Sequence, residues 1–332
     1  MHDNAPFFNP YHELTFWGFI LKFMQRLGAL FTGQLSFQQL ASDEIQVLVL
    51  MGVAISSALV GTFLVLRRMT MLANSLSHTI LMGIVLAYFL TLISSPQEVG
   101  HTADIAPMQT MLFAALITGF LTAFLTEFLT KTVKLQEDAS TGLVFTSLFA
   151  LGVILVTILT RNAHIGIEAV MGNVDALQSR DLFWVYVIMA LNIFLFVLFF
   201  KEFKLTTFDP GLAYAMGLSP FLFSYLLMAQ VSATTITSFR AVGVLLVLAF
   251  MTGPPLAARL LTHSLKSMLI WATVLGSFCA LIGVALTRHI LTVYGVALST
   301  SGVVVCMILA LYVVTIFLAP ARGLLTSTTP LS

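Results

Sequence analysis

Long apolar runs recur along this 332-residue chain, and they constrain its fold more than any other feature. A helix that crosses a bilayer needs about 20 apolar residues. Runs that qualify or nearly qualify lie at 45–66, 73–94, 108–130, 142–160, 181–200, 219–236, 239–258, 267–287 and 301–319. The link between the sixth and seventh runs is very short, so the count is eight or nine. The chain is predicted to be an all-α polytopic membrane protein with eight or nine transmembrane helices.

Composition agrees with this fold class and gives no sign of a nucleic-acid partner. Hydrophobic residues make up 59% of the chain and charged residues 9%, whereas a soluble domain carries about 25% charged residues. The net charge is +1 and no basic run is present, so no nucleic-acid partner is expected. Lipid is the expected surroundings of the chain.

Three regions are expected. Residues 1–44 form an N-terminal extension, in which 14–33 carries Lys22 and Arg26 four residues apart on one helical face. That pattern favours an amphipathic helix lying in the membrane interface. Residues 45–320 form the transmembrane domain, and 321–332 form a cytoplasmic tail.

The cations predict the orientation of the spans. By the positive-inside rule, the end of the molecule with more lysine and arginine is cytoplasmic. The cations assigned to that end are Arg67, Arg68, Lys131, Lys134, Lys201, Lys204, Arg259, Lys266 and Arg322, against Arg161, Arg180, Arg240 and Arg288 at the other. The loop 201–217 is then cytoplasmic, and the loops 95–107 and 161–180 are external.

Catalytic motifs are absent from the sequence. It has no GxxxxGK[ST] phosphate loop, so it does not bind ATP in that way, and it has no HExxH, CxxC or GxSxG motif. The chain is therefore not expected to be an enzyme, and no permanently bound cofactor is expected.

Asn74 and His78 are the first candidate site. They lie four residues apart in an apolar run, so a helix presents both on one face. Imidazole is a ligand for zinc, iron and manganese, and an amide oxygen is a weaker neutral ligand. The pair is either a metal-binding element of a transport path or a pair of polar groups that ties helices together by hydrogen bonds.

The stretch 208–218, FDPGLAYAMGL, is the second candidate. Asp209 and Pro210 have the chemistry of a helix start, and Gly217 that of a helix end. A short cytoplasmic helix is predicted here, and its apolar residues favour a partner over an idle surface turn. The residues assigned to this surface are Phe208, Asp209, Pro210, Leu212, Tyr214, Met216 and Gly217.

The stretch 237–255 is the third candidate, as a gate or hinge. Proline inside a helix removes a backbone hydrogen bond and kinks the helix. Gly253 and Pro254 therefore mark either a hinge or a helix end, and Gly243 is a further hinge candidate. Arg240 is included with the gate, although an arginine at the end of a span also reaches lipid headgroups.

Five motifs in order resemble those of the bacterial metal-ion ABC transporter permeases, which serve zinc, manganese and iron uptake. The motifs are LVLRRMTMLANSLSHTILMGIVLAY (64–88), QEDASTGLVFTSLFALGV (136–153), FDPGLAYAMGL (208–218), SFRAVGVLLVLAFMTGPPLAARLLT (238–262) and YGVALSTSGVVV (294–305). The resemblance covers roughly 45–320 and leaves 1–44 outside. It implies a permease that works as a dimer in the bacterial cytoplasmic (inner) membrane.

The resemblance also implies partners. Two cytoplasmic ABC ATPase subunits would hydrolyse ATP, and an extracytoplasmic binding protein would deliver the ion. The stretch 208–218 corresponds to the coupling helix that sits in the ATPase. The family's membrane metal site, an Asp and a His four apart, corresponds to Asn74 and His78.

Asn74 departs from the family pattern because it replaces the aspartate. An amide suits a hard divalent ion less well than a carboxylate does. One hypothesis is that this chain pairs with a related permease that keeps the aspartate, rather than with a second copy of itself. The mixed site would then hold one carboxylate and two imidazoles.

The sequence therefore favours the membrane subunit of an ATP-driven importer of manganese, zinc or iron, and it does not select among these metals. An ATP-independent secondary transporter or channel is the alternative, but it needs an internal coupling group. Glu127 is the one acid well inside a predicted span, and it lies near the cytoplasmic end. A chelate permease and a membrane enzyme fit less well.

Overall fold

A computed structural model describes residues 10–11, 14–33, 39–71, 75, 79, 82–83, 85–86, 108–160 and 174–318. The helices in these residues are α1 (Phe16–Phe31), α2 (Ser42–Leu66), α3 (Met108–Thr132), α4 (Glu137–Thr160), α5 (Ser179–Leu198), α6 (Phe200–Phe208), α7 (Pro210–Ala215), α8 (Pro220–Val242), α9 (Val244–Leu261), α10 (Leu265–Tyr294) and α11 (Thr300–Leu318). This part of the chain contains no strand. The all-α prediction is confirmed.

Several of these helices have the length and composition of membrane spans. Six of the helices in the described residues meet both conditions, namely α2, α5, the stretch Pro220–Phe239 of α8, α9, α10 and α11. Shorter apolar stretches, Leu116–Thr130 and Ala139–Leu155, lie in α3 and α4. Most of the predicted span 73–94 lies outside the described residues, so the count of eight or nine stays a prediction.

The helix α2 is the centre of the bundle and packs against α5, α8, α9 and α10. Its interior face carries Phe63, which stacks on Phe196 of α5 with ring centroids 4.8 Å apart and meets Phe203 of α6 at 5.5 Å. Gly61 lies directly against the backbone of Met251 in α9. Burial of apolar and aromatic surface around one helix holds the bundle together.

The outer helices expose apolar side chains in numbers that a water-soluble protein avoids. Phe120, Phe124 and Phe128 of α3 and Phe194 of α5 are each at least half exposed. Contiguous exposed apolar surface on spans of this length is the surface that lipid covers. The chain is a multi-pass membrane protein.

The structure moves one predicted boundary. The sequence placed the link between the sixth and seventh runs at residues 237–238, but α8 continues to Val242 and α9 begins at Val244. A single residue, Gly243, joins them with φ 85° and ψ 163°. Residues with a Cβ rarely adopt this conformation, so glycine permits the junction. Polar residues within 232–238, a stretch that includes the predicted link, are buried in the helix.

Candidate functional site

Asn74 and His78 lie outside the residues that the structure describes. The next residue after each, Ser75 and Thr79, is described, helical and buried. The Thr122 hydroxyl of α3 donates a hydrogen bond to the Thr79 hydroxyl over 3.4 Å. A polar contact therefore joins this segment to α3 in the protein interior.

A polar network that the sequence pattern did not indicate joins α2, α5 and α8 inside the bundle. The amide nitrogen of Asn192 in α5 donates to Ser56 Oγ of α2 at 2.6 Å and to Thr234 Oγ1 of α8 at 2.7 Å. All three side chains are buried. Interhelical hydrogen bonds of this kind join membrane helices. An asparagine within an otherwise apolar span was the available signal, but its partners lie far away in the sequence.

The described residues contain no group of three or more histidine, cysteine, aspartate or glutamate side chains that would hold a metal ion. Most of the segment 72–78, which carries the predicted ligands, lies outside the described residues. The Asn74/His78 prediction therefore stays a prediction.

One end of the molecule, which we call the basic end, carries Arg67, Arg68, Lys201 and Lys204. Here Arg67, directly after α2, donates to Thr206 and Thr207 of α6 and to Ser224 of α8. A cavity of about 430 Å³ lies beside the guanidinium, and Glu127 also lines it. The Tyr225 hydroxyl hydrogen-bonds to Glu127, so this acid already has a partner at the basic end.

The helix α7 lies at the basic end, and its sequence explains both of its limits. Asp209 Oδ1 accepts a hydrogen bond from the backbone N–H of Leu212 at 2.9 Å, and Pro210 occupies the first turn. Gly217 has φ 82°, and the N–H of Leu218 donates to the carbonyl of Ala213. This pattern is the Schellman ending that glycine favours. The predicted short helix is present.

The surface of α7 is strongly apolar for an exposed helix. Tyr214 is 78% exposed and Met216 is 66% exposed, while Ala213 is buried against the bundle. Phe208 and Leu212 are exposed beside them. We call these four exposed apolar side chains, on α7 and beside it, the α7 patch.

The gate candidates lie in α8, at the junction and in α9. Arg240 is in the last turn of α8, and its side chain lies outside the described part of the structure. Gly253 and Pro254 are inside α9, which continues to Leu261, so the alternative that the helix ends at these residues is wrong. A Cβ on Gly253 would lie 2.2 Å from Ile308 Cγ2 of α11, so the glycine permits close packing there.

At the opposite end of α2, a buried cluster of polar side chains around Glu44 joins α1 to α2. The Glu44 carboxylate, 2% exposed, accepts hydrogen bonds from the Tyr11 hydroxyl at 2.7 Å and the Ala41 N–H at 2.8 Å, and it pairs with Arg26. Burial, and then the hydrogen bond to Glu44, raise the pKa of Tyr11, so the phenol stays protonated. The hydrogen bond to Glu44 raises the pKa of Arg26.

The cluster changes the interpretation of α1. The sequence placed Lys22 and Arg26 together on one helical face, and the structure shows that Arg26 pairs with the buried Glu44 while Lys22 is exposed. The reason is the carboxylate, because a buried anion needs a cation and hydrogen-bond donors. Trp17, Leu21 and Met24 are the large apolar residues that α1 exposes.

Arg26→Met is expected to lower the free energy of unfolding by about 3 kcal/mol, because it leaves the Glu44 carboxylate buried without its cation. Thermal unfolding of the purified protein in detergent measures the effect. Lys22→Met on the same helix is the matched control, and it is expected to change stability by less than about 0.5 kcal/mol. Equal melting temperatures for the two variants would contradict the assignment.

The helices and both ends define an all-helical, multi-pass membrane protein with an exposed apolar helix at its basic end. The chain belongs to the ABC 3 transport family, whose model matches residues 43–319, and it is a permease of the metal-ion type. The permease component of an ABC transporter is not itself the catalytic subunit.

Known proteins similar to the chain extend over nearly all of it. A probable metal transport system membrane protein of Chlamydia muridarum is 40% identical over 308 residues, which cover 93% of this chain and 94% of the relative. The manganese transport system membrane protein MntD of Bacillus subtilis is 37% identical over 287 residues, which cover 82% and 91%. A chain in the structure of PsaBC from Streptococcus pneumoniae in complex with Fab is 26% identical, with a TM-score of 0.69 and coverage of 91% and 96%.

Proposed function

We propose that this chain is the membrane subunit of an ATP-driven importer of divalent metal ions, namely manganese, zinc or iron(II), in the bacterial inner membrane. Its family and its similarity to a manganese transport protein support the metal. The observation that carries the proposal is the α7 patch, which exposes apolar side chains at the end that the cations assign to the cytoplasm. This patch has the chemistry of a docking surface for an ATPase subunit.

The mechanism proposed is alternating access. ATP-driven closure of two ATPase subunits displaces α7, and the bundle reorients so that the ion passes along the helix face of Asn74 and His78. Ser75 and Thr79, which follow the pair in the sequence, are buried, so the segment packs against protein at these two positions. The metal is the transported substrate and is delivered from outside by a binding protein.

The partner permease is a further part of the proposal. Because Asn74 supplies no charge, a second permease that keeps the aspartate would restore one carboxylate to the paired site. The subunit composition of the purified, active complex tests this point. A complex that contains this permease alone would rule out the mixed pair.

Within the extension 1–44, the helix α1 is proposed to lie in the membrane interface. Trp17, Leu21 and Met24 follow one another at spacings of four and three, so they share one exposed face, while Phe19 and Phe23 are buried against the protein. An aromatic residue and apolar neighbours beside the exposed cation Lys22 suit the boundary between headgroups and acyl chains.

A secondary transporter or channel is the competing function. Such a protein needs a coupling group near the middle of the membrane. Glu127 does not supply one, because it lines the cavity at the basic end and hydrogen-bonds to Tyr225. Metal uptake into vesicles that carry the whole transporter, with and without ATP, decides between the two functions. Uptake that does not depend on ATP would overturn the importer proposal.

Replacing both Leu212 and Tyr214 with alanine is expected to reduce co-purification of the ATPase by about tenfold or more, because exposed aromatic and aliphatic anchors carry most of the binding energy of such interfaces. Phe194→Ala on α5, where the side chain is 60% exposed, is the matched control. It removes a similar aromatic from a predicted lipid-facing surface and is expected to leave assembly unchanged. Equal recovery of the ATPase with both variants would remove α7 as the docking helix.

A further inference from the structure

We propose that Arg67 is a positioning residue that connects the ATPase-facing helix α7 to the central helix α2, an inference that rests on the proposed function. Arg67 follows the last residue of α2. Its guanidinium donates three hydrogen bonds: Nε to Thr207 at 3.0 Å, Nη1 to Ser224 at 2.9 Å and Nη2 to Thr206 at 3.1 Å.

The three acceptors lie on the two helices that flank α7. Thr206 and Thr207 are in the last turn of α6, two to three residues before Asp209, and Ser224 is in the first turns of α8. A displacement of α7 therefore moves the acceptors on one or both sides of it. The planar guanidinium, with donors in a fixed fork, transmits such a movement to the end of α2 better than a flexible single donor does.

The charge of Arg67 makes these bonds unusual. Arg67 takes part in none of the ion pairs found in the described residues, and its partners are three neutral hydroxyls. Burial lowers the pKa of Arg67 to about 10, so the side chain is still protonated at neutral pH. Three neutral hydroxyls on two helices therefore hold this cation, beside a cavity that Glu127 also lines.

The surroundings leave room for such movement. The cavity of about 430 Å³ is lined by Arg67, Thr206, Thr207 and Ser224, and by Pro210 of α7 itself. The guanidinium therefore lines an open cavity between the end of α2 and the helices α6, α7 and α8. The ring contact between Phe63 and Phe203, about one helical turn before Arg67 and Thr207, also joins α2 to α6.

The neighbouring arginine provides a natural comparison. Arg68 has φ 60° and follows Arg67 at the end of α2, where the chain turns away from the helix. Its side chain is exposed and makes none of the side-chain hydrogen bonds or ion pairs found in the described residues. Two adjacent cations of the same type therefore differ in burial and in partners. Comparing their variants distinguishes the effect of the three hydrogen bonds from the effect of losing one positive charge.

The test uses the whole transporter, reconstituted in vesicles with its ATPase and its binding protein, and measures manganese(II) imported per ATP hydrolysed. Arg67→Met and Arg67→Lys are each expected to lower this ratio by about tenfold, while ATP hydrolysis itself stays within about threefold of wild type. Lysine keeps the charge but does not span three acceptors. Arg68→Met is the control, with an expected change of less than about twofold.

Several outcomes would overturn the inference. An unchanged ratio in Arg67→Met does so, and so does full recovery of the ratio in Arg67→Lys, because charge alone would then suffice. A parallel loss of transport, hydrolysis and thermal stability would indicate a purely structural role. If the Arg67 variants do not assemble, Thr207→Val combined with Ser224→Ala keeps the cation and removes two acceptors, and an unchanged ratio there also overturns the inference.

The wild-type complex separates this inference from the function on which it rests. Wild-type vesicles that import none of the three metals in an ATP-dependent way would refute the proposed function. Wild-type vesicles that import metal, together with an Arg67→Met variant that stays fully coupled, would refute the inference alone.

Discussion

Replacement of His78 by alanine is expected to abolish metal uptake while assembly with the ATPase stays normal. Loss of a residue that merely orients a metal ligand costs 10–100-fold in affinity or activity, so loss of a ligand itself is expected to cost about 100-fold or more. Uptake into vesicles carrying the whole transporter measures the effect for manganese(II), zinc(II) and iron(II) separately.

His289→Ala is the matched control for this experiment. His289 lies in an apolar membrane helix, α10, and is partly buried, and it belongs to neither the predicted ion path nor the α7 patch. Uptake by this variant is expected to stay within about twofold of wild type. Normal uptake by His78→Ala would instead make Asn74 and His78 a pair that ties helices together.

Asn74→Asp extends the same experiment to the missing charge. A carboxylate is a better ligand than an amide for manganese, so this variant is expected to lower the half-saturating manganese concentration. An increase in that concentration would show that the neutral amide is required at this position.

The second large effect is expected for Gly61→Ala. A Cβ built on Gly61 lies 2.0 Å from the carbonyl oxygen of Met251 and 2.9 Å from its Cα. Both atoms belong to the α9 backbone, so no side-chain rotation relieves the contact and the two helices must separate. Overpacking usually costs 1–3 kcal/mol, and a clash with backbone is expected to reach about 3 kcal/mol or more.

Gly142→Ala in α4 is the control for this variant. Among the described residues, no atom outside the helix's own backbone lies within 4 Å of a Cβ placed on Gly142, so alanine there is expected to be neutral or to stabilise the helix by up to about 1 kcal/mol. Thermal unfolding in detergent and the yield of folded protein compare the two variants. Equal stability of the two would show that α2 and α9 do not approach each other as closely as described.

Local chemistry made part of this architecture predictable from the sequence. Apolar runs located the six candidate membrane helices of the described residues, because the hydrocarbon core sets the length of such helices. Asp209, Pro210 and Gly217 located α7, because capping depends on residues within a few positions of each other. The exposed apolar residues of α7 followed from the same short stretch.

The interactions between distant helices were not predictable in this way. From the sequence, Glu44 was only an acid directly before the first span. Its partners Arg26 and Tyr11 lie 18 and 33 residues away. Arg67 read as one of many cations, and Ser224 lies 157 residues from it. Which residues meet depends on the rotation of each helix about its axis and on how the helices pack. A helix that is apolar on all sides has no distinct apolar face, so its sequence does not indicate this rotation.

The one-residue junction at Gly243 limits how α8 and α9 can move. A long loop would let two helices change their angle through many small rotations, but here the backbone offers φ and ψ of a single residue. Any change in the angle between α8 and α9 is therefore concentrated in those two dihedral angles. Gly243 is therefore the single hinge between two rigid helices. A pair of distance probes, one on α8 and one on α9, would measure the angle between them directly.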